Sequence, residues 1–278
     1  MIEPGLHFVA TPIGTADDIT LRALKVLREA DVIAAEDTRR TRHLMDIHGV
    51  PLGARRLVAY HDHNGARIRP RLLAELAEGR SLAYASDAGT PLVADPGLKL
   101  AQAAIEAGLP VISVPGPSAV MAALTVAGLP TDQFYFAGFL PPKATARRVQ
   151  LDMLAQLPAT QVLFEAPSRI VGLLSDAVQS HGAPRPAALC RELTKKFEEI
   201  QRHPLGTLAA QVSAPPKGEL VLVIGGAKAQ AWTEADIDTA LTIALRDGSV
   251  KDAVNLVCET IGAPKKVVYQ RALALKQD

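Results

Sequence analysis

Three short apolar runs, each followed by a loop with glycine and proline and then by a helical pattern, constrain the fold more than any other sequence feature. The runs begin at Leu6, Leu82 and Val111. Between residues 6 and 118 further strand and helix patterns alternate in the same way, which predicts a mostly parallel sheet with right-handed crossovers. The loops of such a sheet meet at the carboxyl ends of the strands, where ligands bind.

The loop SDAGTP at residues 86–91 lies at the centre of this pattern. Its small side chains allow a ligand to approach the backbone closely. We expect the next helix to begin at Asp95 or Pro96, with Asp95 as its cap. One such loop alone could be an ordinary connection between a strand and a helix. Three of them favour a shared ligand-binding crevice.

The domain organisation is predicted from the length of the chain and from a change in the alternation of strand and helix patterns. A chain of 278 residues is long enough for about two domains. The regular alternation breaks near Gly128, and an aromatic strand follows at Phe134–Phe139. We predict an N-terminal αβ domain over residues 1–120, a C-terminal αβ domain over 121–228 and a helical tail over 229–278 that resembles a helix-turn-helix.

Composition narrows the class of protein. No apolar run reaches the roughly 18 residues of a membrane span, and no signal-peptide pattern opens the chain. We therefore expect a cytoplasmic protein with no membrane association. The two cysteines, Cys190 and Cys258, are interpreted as core thiols. The net charge of +1 does not by itself indicate a nucleic-acid-binding protein, although arginines cluster beside the predicted crevice.

The loops also limit the choice of ligand. None of them contains the spaced glycines of a dinucleotide-binding loop or the lysine-bearing phosphate loop of ATPases. This argues against NAD and ATP. Small residues, prolines and backbone groups suit a ligand with an adenosine end and an amino-acid end, such as S-adenosyl-L-methionine.

The segment Ala35–Arg40 carries the most reactive groups. It leaves a strand, so Glu36, Asp37 and Arg39 are expected to lie over the crevice. Adjacent carboxylates can act as a general base, bind a metal or hold a substrate hydroxyl, and an arginine can bind a phosphate with two hydrogen bonds. The alternative is that the carboxylates cap the next helix and pair with the arginines.

A metal site has little support in the sequence. His61 and His63 are metal-ligand types, but no third ligand accompanies them. We therefore expect no metal.

Several motifs together resemble the tetrapyrrole methylase superfamily and, within it, the family of ribosomal RNA small subunit methyltransferases of type I. They occur in the same order with similar spacing at Val9–Gly14, Ala35–Arg39, Ser86–Pro91, Val114–Ser118, Glu165–Arg169 and Arg191–Glu199. The resemblance implies an α/β fold with two αβ domains, the first with a mostly parallel sheet and the second with a mixed sheet, followed by a small helical extension. One departure is Thr15, where the family usually has asparagine.

The resemblance also implies an activity, which is S-adenosylmethionine-dependent 2′-O-methylation of a cytidine in the decoding region of 16S rRNA. The substrate is then free 16S rRNA or the small ribosomal subunit, and the superfamily implies a homodimer. The cofactor lies between the two αβ domains, and the matching cofactor-binding positions are Pro12, Ile13, Ala88, Gly89, Thr90, Val93, Ser118, Ala119, Glu165 and Leu193.

Within that activity, we expect Glu36 or Asp37 to assist the ribose hydroxyl and Arg39 to favour the alkoxide or to hold a phosphate. Basic residues expected to bind the RNA backbone are Lys143, Arg169, Lys195, Lys265 and Lys266. Three alternatives remain open. They are a tetrapyrrole or other small-molecule methyltransferase of the same fold, a nucleic-acid-binding regulator built on the tail, and a metal-dependent hydrolase that uses Glu36 and Asp37.

Overall fold

A computed structural model describes residues 2–61, 63–94, 96–227, 233–246 and 248–275. The chain forms two compact units, one that ends at Gly226 and one that begins at Ala227. Two five-stranded sheets belong to the first unit. The second unit is helical.

The first sheet is parallel throughout, as the alternating pattern predicts. Its strand order is β3-β2-β4-β1-β5, with all neighbouring pairs parallel. The strands are β1 (Gly5–Val9), β2 (Val32–Ala35), β3 (Arg56–Ala59), β4 (Ser81–Ala85) and β5 (Val111–Val114). The connecting helices are α1 (Leu21–Glu29), α2 (Thr38–Ile47), α3 (Gly65–Ala77) and α4 (Leu98–Glu106).

Helices cover both faces of this sheet. On β4, Leu82 and Tyr84 pack with α3 and α4, whereas Ala83 and Ala85 pack with α1 and α2. Successive side chains of a strand point to opposite faces, so the two helix pairs lie on opposite sides. Every residue of the central strands β1, β2 and β4 is buried, which explains why these strands are mainly apolar.

The helix after residues 86–91 begins later than the sequence pattern predicts. The expected start at Pro96 is wrong, because α4 begins at Leu98 with Gly97 as its cap at φ +118°. The positive φ of Gly97 cannot be part of a right-handed helix, so a helix cannot run from Pro96 through Gly97. The expected cap, Asp95, lies outside the described residues.

The second sheet is mixed, in agreement with the family resemblance. Its order is β6-β7-β10-β8-β9; β6 and β7 are parallel, and the other neighbouring pairs are antiparallel. The strands are β6 (Phe134–Phe139), β7 (Thr160–Glu165), β8 (Pro186–Arg191), β9 (Glu199–Pro204) and β10 (Leu220–Ile224). The helices are α5 (Ala119–Ala127), α6 (Ala144–Ala155), α7 (Ile170–His181) and α8 (Leu205–Gln211).

The helix α5 marks the transition between the sheets. It directly follows the last strand of the first sheet, yet its buried residues Val120, Ala123 and Leu124 pack against the second sheet. The change of partner falls beside the domain boundary at residue 120, which stays a prediction. Cys190 is fully buried in the same cluster, as expected of a core thiol, and burial raises its pKa to about 11.

The tail folds as three helices around its own apolar cluster. They are α9 (Glu234–Ala244), α10 (Val250–Ile261) and α11 (Lys265–Leu275), and their contacts centre on Ile237, Val254 and Val268. Cys258 is half-buried against this cluster. Gly262, at φ +73°, ends α10 and permits the turn into α11. Among the described residues, no helix combines the length and the apolar character needed to cross a bilayer.

Candidate active site

A pocket of about 360 Å³ lies where loops of the two sheets meet. The first sheet contributes the loops at the carboxyl ends of β1, β4 and β5. The second sheet contributes the edge at which β6 and β7 end and β10 begins. The lining residues from the first sheet's side are Ile13, Ala88, Gly89, Thr90, Val93, Ala94, Ser118, Ala119 and Val120, and those from the second are Phe139, Phe164, Glu165, Ala166, Pro167, Glu219, Leu220 and Val221.

Hydrogen bonds connect the three loops of the first sheet. The backbones of Thr11 and Gly89 bond in both directions, at 3.0 and 2.9 Å. The Ser86 hydroxyl donates to the Gly89 carbonyl at 2.7 Å, and the Thr90 hydroxyl donates to the Pro117 carbonyl at 3.0 Å. These bonds fix the loops relative to one another, so the pocket is preformed.

Gly89 is required by this arrangement. Its φ of +77° disfavours other residues, and a Cβ there would lie 3.2 Å from Cγ2 of Ile13. The backbone therefore forms part of the pocket wall, as the sequence predicts for a loop of small residues.

Eight of the ten predicted cofactor-binding residues line the pocket. The two exceptions lie close by. Pro12 lines a neighbouring groove. Leu193 is only 7% exposed and belongs to the apolar cluster that contains Ile13, Val93 and Ala119.

Other lining residues were not predicted. Phe139 and Phe164 lie in aromatic or apolar strands, and this enrichment is a signal that the sequence contains. In the structure their rings pack edge to face with centroids 5.7 Å apart. Glu219–Val221 gave no such signal, since their place at this edge depends on the antiparallel pairing of β10 with β7.

Glu165 presents an unusual carboxylate to the pocket. Its side chain is fully buried; Oε1 accepts a hydrogen bond from the Ala166 N–H at 2.8 Å and lies 3.1 Å from Nε of Arg169. Oε2 is buried and has no hydrogen-bond partner among the described residues. An unmatched buried acceptor is costly, so a ligand with a hydroxyl or amino donor would stabilise the site.

The predicted catalytic residues lie apart from this pocket. Glu36 and Asp37 follow β2, and neither they nor Arg39 is among the residues that line it. Glu36 is half-buried, with Oε2 inaccessible to solvent.

Asp37 is the cap of α2. Its carboxylate accepts hydrogen bonds from the Arg39 N–H at 2.9 Å and from the Arg39 guanidinium at 3.1 and 2.8 Å. The side-chain bond to Arg39, with the backbone bond after it, lowers the pKa of Asp37 to about 2. A carboxylate so acidic is a weak base, which favours the capping role that the sequence left as an alternative.

A second depression adjoins the same loops. This α2 groove, of about 270 Å³, is lined by Thr11, Pro12 and Gly14 after β1, by Ser86 and Asp87 after β4, and by Arg40, Thr41, His43, Leu44 and Ile47 of α2, with Ala16 at one end. The Asp87 carboxylate accepts a hydrogen bond from the Asp37 N–H at 2.9 Å. Asp87 thereby connects the loop that forms the pocket to the start of α2.

The predicted RNA-binding residues differ in exposure and in whether they are already paired within the protein. Lys143, Lys265 and Lys266 are exposed. Lys195 instead bonds to Glu192 and Glu219, at 2.8 and 2.9 Å, and is 29% exposed.

Arg169 is also engaged within the protein. It donates to the Leu140 carbonyl at 2.6 Å and approaches Glu165. An RNA phosphate would have to compete with these partners.

Within the described residues, no three His, Cys, Asp or Glu side chains converge in a way that could hold a metal ion.

Known proteins resemble the chain over nearly its whole length. Residues 5–209 match the tetrapyrrole (corrin/porphyrin) methylases, and residues 233–276 match the RsmI C-terminal HTH domain. Ribosomal RNA small subunit methyltransferase I of Mesorhizobium japonicum is 47% identical over 277 residues, with 99% of this chain and 93% of that protein covered. The chain belongs to the ribosomal RNA small subunit methyltransferase I family.

Two further relatives support the family and the fold. The family member from Xylella fastidiosa strain Temecula1 is 44% identical, with 97% of this chain and 99% of that protein covered. The crystal structure of uroporphyrin-III-C-methyltransferase from Thermus thermophilus superimposes with a TM-score of 0.57 at 25% identity, covering 80% of this chain and 94% of that one. Two αβ layers of the tetrapyrrole methylase type followed by a helical extension are therefore confirmed.

Proposed function

We propose that the protein transfers a methyl group from S-adenosylmethionine to the ribose 2′-hydroxyl of a cytidine in the decoding region of 16S rRNA. The observation that carries this proposal is the match of both the methylase region and the tail to one methyltransferase family. The 2′-O position and the cytidine follow from the family resemblance of the loop motifs.

The pocket has the features that S-adenosylmethionine requires. Backbone at Gly89 and Thr90 is accessible in a preformed loop, and Phe164 and Val221 offer apolar surface to an adenosine. Glu165 offers a buried acceptor to a hydroxyl or amino group. When bound, the cofactor supplies a methyl group on a positively charged sulfur, which reacts without further activation.

The protein then has to position the ribose and receive its proton. As the oxygen–carbon bond forms and the carbon–sulfur bond breaks, the hydroxyl proton must leave, and a nearby carboxylate assists this loss. The Asp37 carboxylate is already bonded to Arg39, so we propose Glu36, its neighbour in the segment after β2, for this role. Arg39, whose side chain is 89% exposed, can hold a phosphate.

The exposed lysines Lys143, Lys265 and Lys266 support binding of the RNA backbone. The proposed partner is 16S rRNA or the small ribosomal subunit. A homodimer in the cytoplasm, with no membrane association, is proposed on the basis of the family resemblance and of where this substrate is found.

The test uses small ribosomal subunits from a strain that lacks the gene. The protein and S-adenosylmethionine with a labelled methyl group are added, and nucleosides are analysed by mass spectrometry. We expect 2′-O-methylcytidine at one position of the decoding region. Label in a base, in another nucleoside or only in an added tetrapyrrole would refute the proposal. Hydrolysis of a substrate that a chelator abolishes, without methyl transfer, would favour the metal-dependent hydrolase.

A further inference from the structure

The α2 groove contains an arginine whose guanidinium makes no hydrogen bond within the described residues. The guanidinium of Arg40 makes no hydrogen bond to the described part of the chain, although it forms an ion pair with Asp87, whose Oδ2 lies 3.7 Å from Nη1. A phosphate in the groove would have to compete with this carboxylate for Arg40. Its neighbours differ. Arg39 bonds to Asp37, and Arg42 bonds to Asp46 at 2.9 and 3.1 Å. Arg40 thus presents a planar set of donors, 67% exposed, at the groove.

Two residues of α2 add apolar surface to the groove. Leu44 lines the groove, and Ile47 lies at its edge with 51% of its surface exposed. His43 adds a second polar group that is exposed and has no hydrogen bond within the described residues. A ligand that fits has an anionic group close to a flat or apolar one.

The position of the groove relates it to the cofactor pocket. The two cavities adjoin the same loops, because Thr11 lines the groove, Gly89 lines the pocket, and the backbones of these two residues pair. The cavities share no lining residue, so a group bound in the groove occupies a different site from a group bound in the pocket. The two groups can, however, be parts of the same polymeric substrate.

We propose that the α2 groove binds one nucleotide of the substrate RNA that neighbours the methylated nucleotide. Arg40 holds its phosphate, and Leu44 and Ile47 contact its ribose or base. This inference rests on the proposed function, because it assumes an RNA substrate. A nucleotide combines the required groups, since its phosphate suits an arginine fork and its base and sugar provide apolar faces.

The size of the groove agrees with this assignment. At about 270 Å³ it is smaller than the adjoining pocket and falls just below the roughly 300–1,000 Å³ of sites that enclose a whole small ligand. One unit of a longer chain needs less enclosure, because the remaining chain supplies further contacts elsewhere.

The test compares Arg40→Ala and Ile47→Ser with Arg42→Ala. Arg42 is a matched control on the same helix, since it is paired with Asp46 and does not line the groove. The probe is a short single-stranded RNA with the decoding-region sequence, and fluorescence anisotropy gives its Kd at several salt concentrations. Calorimetry gives the Kd for S-adenosylmethionine, and thermal melts check the fold.

We expect Arg40→Ala to weaken RNA binding by roughly tenfold or more. The slope of log Kd against log salt should fall by about 0.7, as expected for one lost phosphate contact on a single strand. Ile47→Ser should weaken binding severalfold and leave the salt slope unchanged. All three variants should bind S-adenosylmethionine like the wild type, and Arg42→Ala should also bind RNA like the wild type.

Two failures are distinguishable. If the wild type binds and methylates RNA while Arg40→Ala keeps both its RNA affinity and its salt slope, the groove assignment is wrong and the proposed function stands. An equal loss in Arg42→Ala would also overturn the assignment, because the effect would then be general electrostatics. If the wild type neither binds nor methylates RNA, the proposed function itself fails.

Discussion

The hydroxyl of Thr15, in the loop after β1, donates a hydrogen bond to the backbone carbonyl of Thr194, in the loop between β8 and β9. The Thr15 N–H also donates a hydrogen bond, to Oγ1 of Thr194 at 3.2 Å. Gly14 permits this approach, because a Cβ there would lie 2.5 Å from the same Oγ1. The two loops belong to different sheets, so these bonds join the two sides of the crevice beside Ile13 of the pocket.

We predict that Thr15→Val weakens S-adenosylmethionine binding several-fold. The variant keeps the shape of the side chain but leaves the Thr194 carbonyl without its donor, which costs about 1 kcal/mol. Thr15→Asn restores a donor and introduces the residue usual in the family, so it should bind like the wild type. Calorimetry measures both. Thr125→Val is the control, since the Thr125 hydroxyl bonds within its own helix. Equal affinities in all variants would show that this contact does not hold the crevice together.

The second prediction concerns the buried acceptor of the pocket. Glu165→Gln replaces one carboxylate oxygen by an amide that donates, so a ligand donor at Oε2 would lose its partner. We expect S-adenosylmethionine binding to weaken at least about tenfold. Glu106→Gln, a change at an exposed site on α4, should have no effect. Unchanged calorimetric affinity in a folded Glu165→Gln protein would mean that the ligand does not use Oε2.

The sequence was sufficient to predict the first sheet and the three loops that form one side of the pocket, for a local reason. Buried parallel strands are continuous apolar runs, and the loops at their carboxyl ends share one edge. Ala88, Gly89 and Ser118 therefore came together as expected. Glu219 could not be found in this way, since its place in the pocket follows from the pairing order of the second sheet.

Charged residues were harder to interpret, because their partners are distant in sequence. Lys195 looked available for RNA, yet Glu219 is one of its partners at 2.9 Å. The start of α4 depended on the positive φ of +118° at Gly97. Such features arise from tertiary contacts and leave no periodic signal.

The third prediction tests the tail. Lys265 and Lys266 are exposed at the start of α11, whereas Arg271 is paired with Glu234 and Asp238. Replacing both lysines by alanine should weaken RNA binding and reduce the salt slope by roughly 0.7 per lysine on single-stranded RNA. S-adenosylmethionine binding should not change. Lys99→Ala, on α4, is the control. If RNA affinity and slope both stay at wild-type values, the tail binds no phosphate through these lysines.

The fourth prediction concerns pH and stability. His181 is 7% exposed and lies 2.8 Å from Oε1 of Gln161 through Nε2. Burial, with Arg185 adding to it, lowers the pKa of His181 from 6.5 to about 4. Between these values the unfolded chain binds the proton and the folded chain does not. The free energy of unfolding therefore falls as pH drops below about 6.5, by about 2 kcal/mol at pH 5.

Urea unfolding at pH 7 and pH 5 measures this loss. Other groups also titrate in this range, so the wild type is compared with His181→Gln, which cannot titrate and should lose less stability on acidification. His203→Gln, at an exposed site on β9, should behave like the wild type. Identical pH dependence in the wild type and His181→Gln would contradict a depressed pKa at His181.

The last prediction separates two adjacent carboxylates. At neutral pH, Asp37 is ionised and already bonded to Arg39, and asparagine is an equally good helix cap. Asp37→Asn should therefore keep a near-normal single-turnover rate with saturating RNA. Glu36→Gln should keep the fold and the cofactor affinity but lose on the order of 10²-fold in rate, the effect of a lost general base. Arg39→Ala should mainly weaken RNA binding. Normal rates in both amide variants would show that neither Glu36 nor Asp37 takes part in the reaction, and positioning of the ribose would then be the main source of catalysis. A loss of rate confined to Asp37→Asn would reverse the assignment, with Asp37 as the base despite its low pKa.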